Sequence, residues 1–212
     1  MKRGGEGMVE LTPRDREKYR RQMMIPGFGE ETQRRLKNSS ALVTRAGGLG
    51  GPVALYLAMA GIGRLVVAHG GNVTWSNLNR QILMSHDWVG KPRADKIRES
   101  ILSMNPDVDL TVIAEDPNDE NVDEWVAGVD IVCDCPPTFE ERFALNRAIV
   151  RHRKPMIEAA MNSMEAHLTV IVPGETPCLA CLYPGFPDWW SGTEFPVLGA
   201  VSGALGCLAA IE

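Results

Sequence analysis

The chain has 212 residues, 44% hydrophobic and 23% charged, which suits one globular domain with a real core. A formal net charge of −5 removes the bulk attraction that a nucleic-acid backbone requires, so no nucleic acid is expected as a partner. Five cysteines are too few, and odd in number, for a disulfide framework, and the N-terminus has no apolar signal core; a cytoplasmic protein is expected.

Thr12 is placed to cap a first helix, with Pro13 in its first turn and Asp15 at the capping-box position. That helix carries "KYRRQMM" and stops near Pro26 and Gly27, and a short second helix follows around residues 30–36. A buried strand over 41–44 then runs into "RAGGLGG" and a helix of small, apolar residues. A strand, a glycine turn and a helix N-terminus together make an anion cradle, although glycine runs also serve close packing. A second strand, "RLVVA", covers 64–68. Its end reads "HGGNV", without the carboxylate that a dinucleotide dehydrogenase places there for the ribose hydroxyls, so the oxidoreductase reading weakens.

Next comes "SNLNRQIL". Asn77, Arg80 and Gln81 share a face if the segment is helical, one guanidinium and two amides that suit a polyphosphate. The helix from Lys91 puts Ala94, Ile97, Ile101 and Met104 on one stripe and stops at Asn105-Pro106. A strand over 108–115, an acidic helix within 118–128, a buried strand over 129–135, a helix over 138–154 and strands over 155–160 and 167–174 follow. Phe195 to Ile211 has no charge but carries three glycines; it is read as a tightly packed terminal helix, not a membrane span. Strands alternating with helices argue for a Rossmann-like, three-layer α/β/α fold with a mostly parallel sheet, N-terminal helices and an antiparallel extension.

Several segments, in order and spanning nearly the whole chain, resemble the ThiF/MoeB/HesA family, bacterial relatives of ubiquitin-activating enzymes. They are "YRRQ" (19–22), "GGLGGPVALYLAMAGIGRL" (47–65), "SNLNRQ" (76–81), "VGKPRADK" (89–96), "MNPDV" (104–108) and "PCLAC" (177–181). The resemblance implies one domain over 1–212: a helical arm (1–40), a nucleotide-binding core (41–160) and a carrier-binding, CxxC-bearing region (161–212). It implies ATP-dependent adenylylation, with Mg2+, of the C-terminal carboxylate of a small ubiquitin-like or sulfur-carrier protein, in sulfur or metal-cofactor biosynthesis. Arg80, Asn77, Gln81 and Arg93 match site residues, and Gly47, Gly48 and Gly50 match the phosphate turn. Arg21 matches an arginine that reaches into a partner protomer's site, which implies a homodimer. Cys178 and Cys181 match half of a zinc site whose other pair lies nearer the C-terminus of relatives, so the site is incomplete in this sequence.

The departures gather in one place. Arg45 replaces the first loop glycine, His69 and Gly71 replace two acids after the second strand, Arg93 replaces a lysine, and Pro137 stands where a metal-associated aspartate is usual. Asp134, three residues earlier, is a strand-end residue. Arg45 and His69 are therefore assigned to the nucleotide pocket as replacements. Two functions fit this pattern: an adenylyltransferase, or a catalytically degenerate relative that binds a carrier tail, peptide or cofactor intermediate. Arg45 decides between them: framing an open cavity it favours catalysis, and lying across the adenosine space it favours a dead pocket. Trp189 and Trp190 are read as a docking surface or a cover for the core edge. Cys133, Cys135 and Cys207 are read as packing residues, and His86, His152 and His167 receive no role.

Overall fold

A computed structural model describes residues 8–185 and 194–212; Trp189 and Trp190 lie outside them. Three helices, α1 (Pro13–Lys18), α2 (Arg20–Met23) and α3 (Gly29–Lys37), precede the sheet. The single helix expected through "KYRRQMM" is broken at Tyr19. Tyr19 turns inward against Gly61, and its hydroxyl accepts a hydrogen bond from Asn105. Gln22 reaches the Ala60 carbonyl at 2.7 Å, while Arg20 and Arg21 stay exposed. "YRRQ" thus pins the arm with its outer residues and presents its two arginines to solvent.

The core consists of β1 (Ser40–Thr44), α4 (Gly50–Ala60), β2 (Arg64–Ala68), α5 (Arg93–Met104), β3 (Asp109–Ile113), α6 (Val122–Ala127), β4 (Ile131–Asp134), α7 (Phe139–His152), β5 (Met156–Asn162) and β6 (Glu165–Ile171). Two further helices, α8 (Leu179–Leu182) and α9 (Gly199–Ile211), complete the described chain. The sheet order is β3-β2-β1-β4-β5-β6. The first five strands are parallel and β6 is antiparallel to β5, through pairs such as Glu158 with Thr169 and Ala160 with His167. This is the Rossmann-like fold with an antiparallel extension that the alternating pattern predicts. Strand β6 starts two residues earlier than expected and ends before Pro173, which has no N–H for the ladder.

Alternation along the strands sorts the core into two layers. Ala41, Val43, Leu65, Val67 and Cys133 face α4, α5 and α9. Leu42, Val66, Val132 and Met156 face α6, α7 and α8. Helix α9 lies close against the glycine turn because Gly206 meets the Leu49 carbonyl, where a side chain would not fit. Among the described residues no helix is long and apolar enough to cross a membrane. The strand order reverses between β1 and β4, and the crevice at their carboxyl ends is where such sheets receive ligands.

Candidate functional site

A cavity of roughly 1050 Å³ opens at that crevice. Arg45, Gly47, Gly48, His69, Asn77, Arg80, Gln81 and Arg93 all line it. Strand β1 delivers the chain into the turn at Arg45, whose φ of 57° lies in the left-handed region unfavourable to a non-glycine residue. Two carboxylates hold it there. Its Nε donates to Glu141 at 3.1 Å and its Nη1 meets Asp116 at 2.7 Å. Arg45 therefore frames the cavity with its charge already paired. Gly48 is squeezed between the Arg80 stem and Ser202; a Cβ there would lie 3.0 Å from Arg80 Cγ and 2.9 Å from Ser202 Oγ. Gly50 does not line the cavity: a Cβ there would collide with the Arg45 carbonyl, so this glycine serves the close start of α4.

The segment after β2 is not the helix that would align Asn77, Arg80 and Gln81 at helical spacing. It is a single 3-10 turn, Trp75–Asn77, capped by Thr74, with Asn77 Oδ1 accepting the Thr74 N–H at 2.9 Å. The Thr74-x-x-Asn77 spacing is a readable signal for this cap. Arg93 closes the loop from behind. Its Nη1 donates to the Gly70 carbonyl at 2.6 Å, and its Nη2 donates to the Asn72 carbonyl and to Asn77 Oδ1. A lysine has no such fork, which accounts for arginine at this position. Tight turns still bring the three residues together: the Arg80 and Gln81 N–H groups both reach the Asn77 carbonyl. The Gln81 amide approaches Gly47, and its Oε1 is buried without a partner among the described residues.

Arg80 Nη1 donates to the Ser76 carbonyl at 2.7 Å and to Asn79 Oδ1 at 2.9 Å. Neither Arg80 nor Arg93 meets a carboxylate among the described residues. Burial lowers the pKa of Arg80; burial and then repulsion from Arg45 lower that of Arg93. His69 is buried, and burial followed by the Arg93 and Arg45 charges hold its pKa well below the usual value. It is a neutral wall residue whose Nδ1 has no partner among the described residues.

The other end of the cavity holds a cluster that sequence reasoning missed. Buried Arg142, on α7, donates to Asp134 at 2.8 Å, to Glu158 at 2.9 Å and to the Ala159 carbonyl at 3.0 Å. His167, given no role from its spacing, sits across the β5–β6 pair with Nε2 3.1 Å from Glu158 Oε2. Tyr183 lies 3.5 Å from the same imidazole nitrogen. Burial pushes Asp134 up to about 7, against the pull of Arg142 and helped by the Glu158 charge. The Glu158 hydrogen bond raises the His167 pKa although burial opposes it. The available signal was a charged residue inside each of two apolar strands, Asp134 and Glu158, since such charges require a buried partner.

Arg21 is exposed on α2 and does not line the cavity. Cys178 and Cys181 lie apart from it, with their sulfurs 3.8 Å apart. Two corners of a zinc tetrahedron with bonds of about 2.3 Å are separated by about that distance, so the thiols fit half of such a site. Among the described residues no three His, Cys, Asp or Glu side chains are placed to hold a metal ion. Near the glycine turn, Glu141 and Asp134 are taken by Arg45 and Arg142. These residues do not fit a Mg2+ ion at the phosphate end.

The ThiF family model matches residues 19–212. Protein HesA of Leptolyngbya boryana is 54% identical over 205 residues, covering 97% of this chain and 74% of that protein. The adenylyltransferase and sulfurtransferase MOCS3 of Drosophila yakuba is 38% identical over 96% of this chain and 46% of its own length. The crystal structure of E. coli MccB with MccA-N7isoASN superposes with a TM-score of 0.80 at 25% identity, over 92% of this chain and 62% of MccB. The ATP complex of MccB gives 0.72 at 27% identity, over 84% of this chain and 55% of that one.

Proposed function

This chain belongs to the ThiF family, and on that premise we propose that it activates the C-terminal carboxylate of a partner chain by ATP-dependent adenylylation. The partner is a small ubiquitin-like or sulfur-carrier protein, and the setting is sulfur or metal-cofactor biosynthesis in the cytoplasm. The single observation that carries the reading is the pair of uncompensated arginines, Arg80 and Arg93, placed with Gly47, Gly48 and Gln81 around one cavity. Arg93 is buried and Arg80 half-buried, and cations so placed without a carboxylate partner call for an anion. The N-terminus of α4 has no side-chain cap and adds a positive dipole end at the same place. The likeness to MOCS3, an adenylyltransferase by name, and to MccB, crystallised with ATP, agrees with a nucleotide as that anion.

The chemistry asks little of acid–base groups. A C-terminal carboxylate is ionised at neutral pH. One of its oxygens bonds to the α-phosphorus of ATP, the bond from that phosphorus to the bridging oxygen breaks, and pyrophosphate leaves with the electron pair. Positioning and charge neutralisation supply the rate. Arg80 faces the phosphates, Gln81 and Asn77 fix their direction, and Arg93 holds the loop that carries all three. Arg21 completes the site from a second copy in a homodimer. Cys178 and Cys181 would supply two of the four ligands of a zinc ion that would brace the carrier-binding region. ATP–pyrophosphate exchange, with purified candidate carrier proteins, tests the reading. Carrier-dependent exchange is expected; a chain that neither exchanges with any carrier nor binds ATP by calorimetry refutes it.

The second reading is a binding module that has lost turnover. It is favoured by the ion pairs that tie Glu141 to Arg45 and Asp134 to Arg142. An Arg80→Ala variant with full activity in cells favours this reading, and one without activity leaves adenylylation in front.

A further inference from the structure

Resting on the adenylylation reading, we propose that Asp116, which stands at the rim beside the cavity-lining Arg45 and not among the lining residues itself, is the carboxylate that receives the nucleotide ribose, supplied from the end of β3 in place of the usual acid after β2. In a strand–turn–helix nucleotide fold the ribose lies at the tip of the second strand, and a carboxylate there accepts its hydroxyls. Here the residues after β2 are His69, Gly70 and Gly71. His69 is buried and neutral, so it offers no negative charge.

Asp116 lies three residues beyond Ile113, the last residue of β3, and leans across to the tip of the neighbouring strand. The His69 N–H still continues the ladder to the Ile113 carbonyl at 3.0 Å. The next N–H, from Gly70, is taken by Asp116 Oδ1 at 2.8 Å. A Cβ at Gly70 would stand 3.2 Å from that oxygen, tighter than ordinary contact, so glycine admits the carboxylate. The same oxygen forms an ion pair with Arg45 Nη1 at 2.7 Å. The Asp116 carbonyl is fixed in turn by Asn121 Nδ2 at 3.0 Å. Side chain and backbone are both held before any ligand arrives.

The second oxygen is left over. Asp116 Oδ2 has no hydrogen bond among the described residues, and the side chain is 41% exposed. Arg45 divides its single charge between Asp116 and Glu141, and its pair with Asp116 uses Oδ1, which leaves Oδ2 to accept a hydroxyl group. This arrangement also accounts for Arg45, a non-glycine residue at positive φ, as the clamp that ties the relocated carboxylate to α7.

Titration calorimetry of the full chain with ATP and with 2′,3′-dideoxy-ATP tests the assignment, using wild type, Asp116→Ala and Asp116→Asn, with folding of each checked by thermal unfolding. The wild type is expected to prefer ATP by about tenfold to a hundredfold, the range of a charge-assisted hydrogen bond. Asp116→Ala should bind ATP weaker by that factor, bind the dideoxy nucleotide as before, and lose the preference. Asp116→Asn, which preserves the side-chain shape, should fall between. A wild type that binds ATP and a variant pair that keeps its preference overturn the assignment while adenylylation stands. A wild type that binds both nucleotides equally does the same. A wild type that binds no ATP overturns the adenylylation reading and this assignment with it.

Discussion

Arg80 and Arg142 line the same cavity from opposite ends, yet they stand in different electrical company. Arg142 is buried between Asp134 and Glu158, and these carboxylates raise its pKa despite the cost of burial. Arg80 meets only a backbone carbonyl and an amide oxygen, and burial lowers its pKa. An arginine whose charge is answered within the fold joins elements together; one whose charge is not answered is ready for a ligand. Arg45, held by Asp116 and Glu141, belongs with Arg142, and Arg93, bonded only to neutral oxygens, belongs with Arg80.

The greatest loss should come from breaking the compensated end. Arg142→Met leaves two carboxylates buried without their cation and should cost about 3–5 kcal/mol of stability, read from urea denaturation. At the other end, Arg80→Ala removes a charge that the fold does not use. Its stability should change by about 1 kcal/mol or less, while carrier-dependent pyrophosphate exchange falls by about 10²–10³-fold. Comparable unfolding midpoints for the two variants would contradict the division between the ends.

The pH dependence of stability extends the contrast. The folded-state pKa of Asp134 is raised from 3.8 to about 7, so the native state binds more protons than the unfolded chain between those values. Its contribution is complete below the lower value and is lost as pH rises through the upper one. His167, raised from its usual 6.5 by Glu158, also contributes stability below that value and loses it as pH rises through its folded pKa. The Asp134 part of the stability should therefore fall between about pH 4 and about pH 7, by about 1 kcal/mol or more, against the opposite contribution of His69, whose lowered pKa favours the folded state as pH rises towards 6.5. Asp134→Asn should flatten most of this slope in urea melts across that range; an unchanged slope would show that another group sets it.

The layered fold was legible because strand and helix periods are local, and the glycine turn and "SNLNRQ" pointed to the crevice where the cavity opens. What escaped the sequence was pairing over distance. Arg45 finds Asp116 and Glu141, and Arg142 finds Asp134 and Glu158, through turns that no local pattern encodes. Helical spacing makes Asn77 a free amide, yet its oxygen caps Thr74 and receives Arg93, because a 3-10 turn stands where the spacing implies a helix. The break at Tyr19 was equally hidden, since its partners Gly61 and Asn105 lie far along the chain.

A subtler signal concerns Arg21, exposed on the arm and remote from the cavity within its own chain. If a second copy supplies it, mixing Arg21→Ala with Arg80→Ala chains forms dimers with one intact composite site. Exchange activity should then recover to about a quarter of wild type in an equal mixture, as expected for random pairing of two-fold dimers. No recovery in a mixture shown to exchange subunits would place Arg21 outside the site.

Titrating ATP into wild type and Arg80→Ala at equal ionic strength asks whether the uncompensated arginine beside the glycine turn holds the nucleotide phosphates. Measurable binding to the wild type is expected, with a loss of about tenfold to a hundredfold in the variant and unfolding midpoints nearly unchanged. Equal affinity of the two proteins for ATP would contradict that role for Arg80.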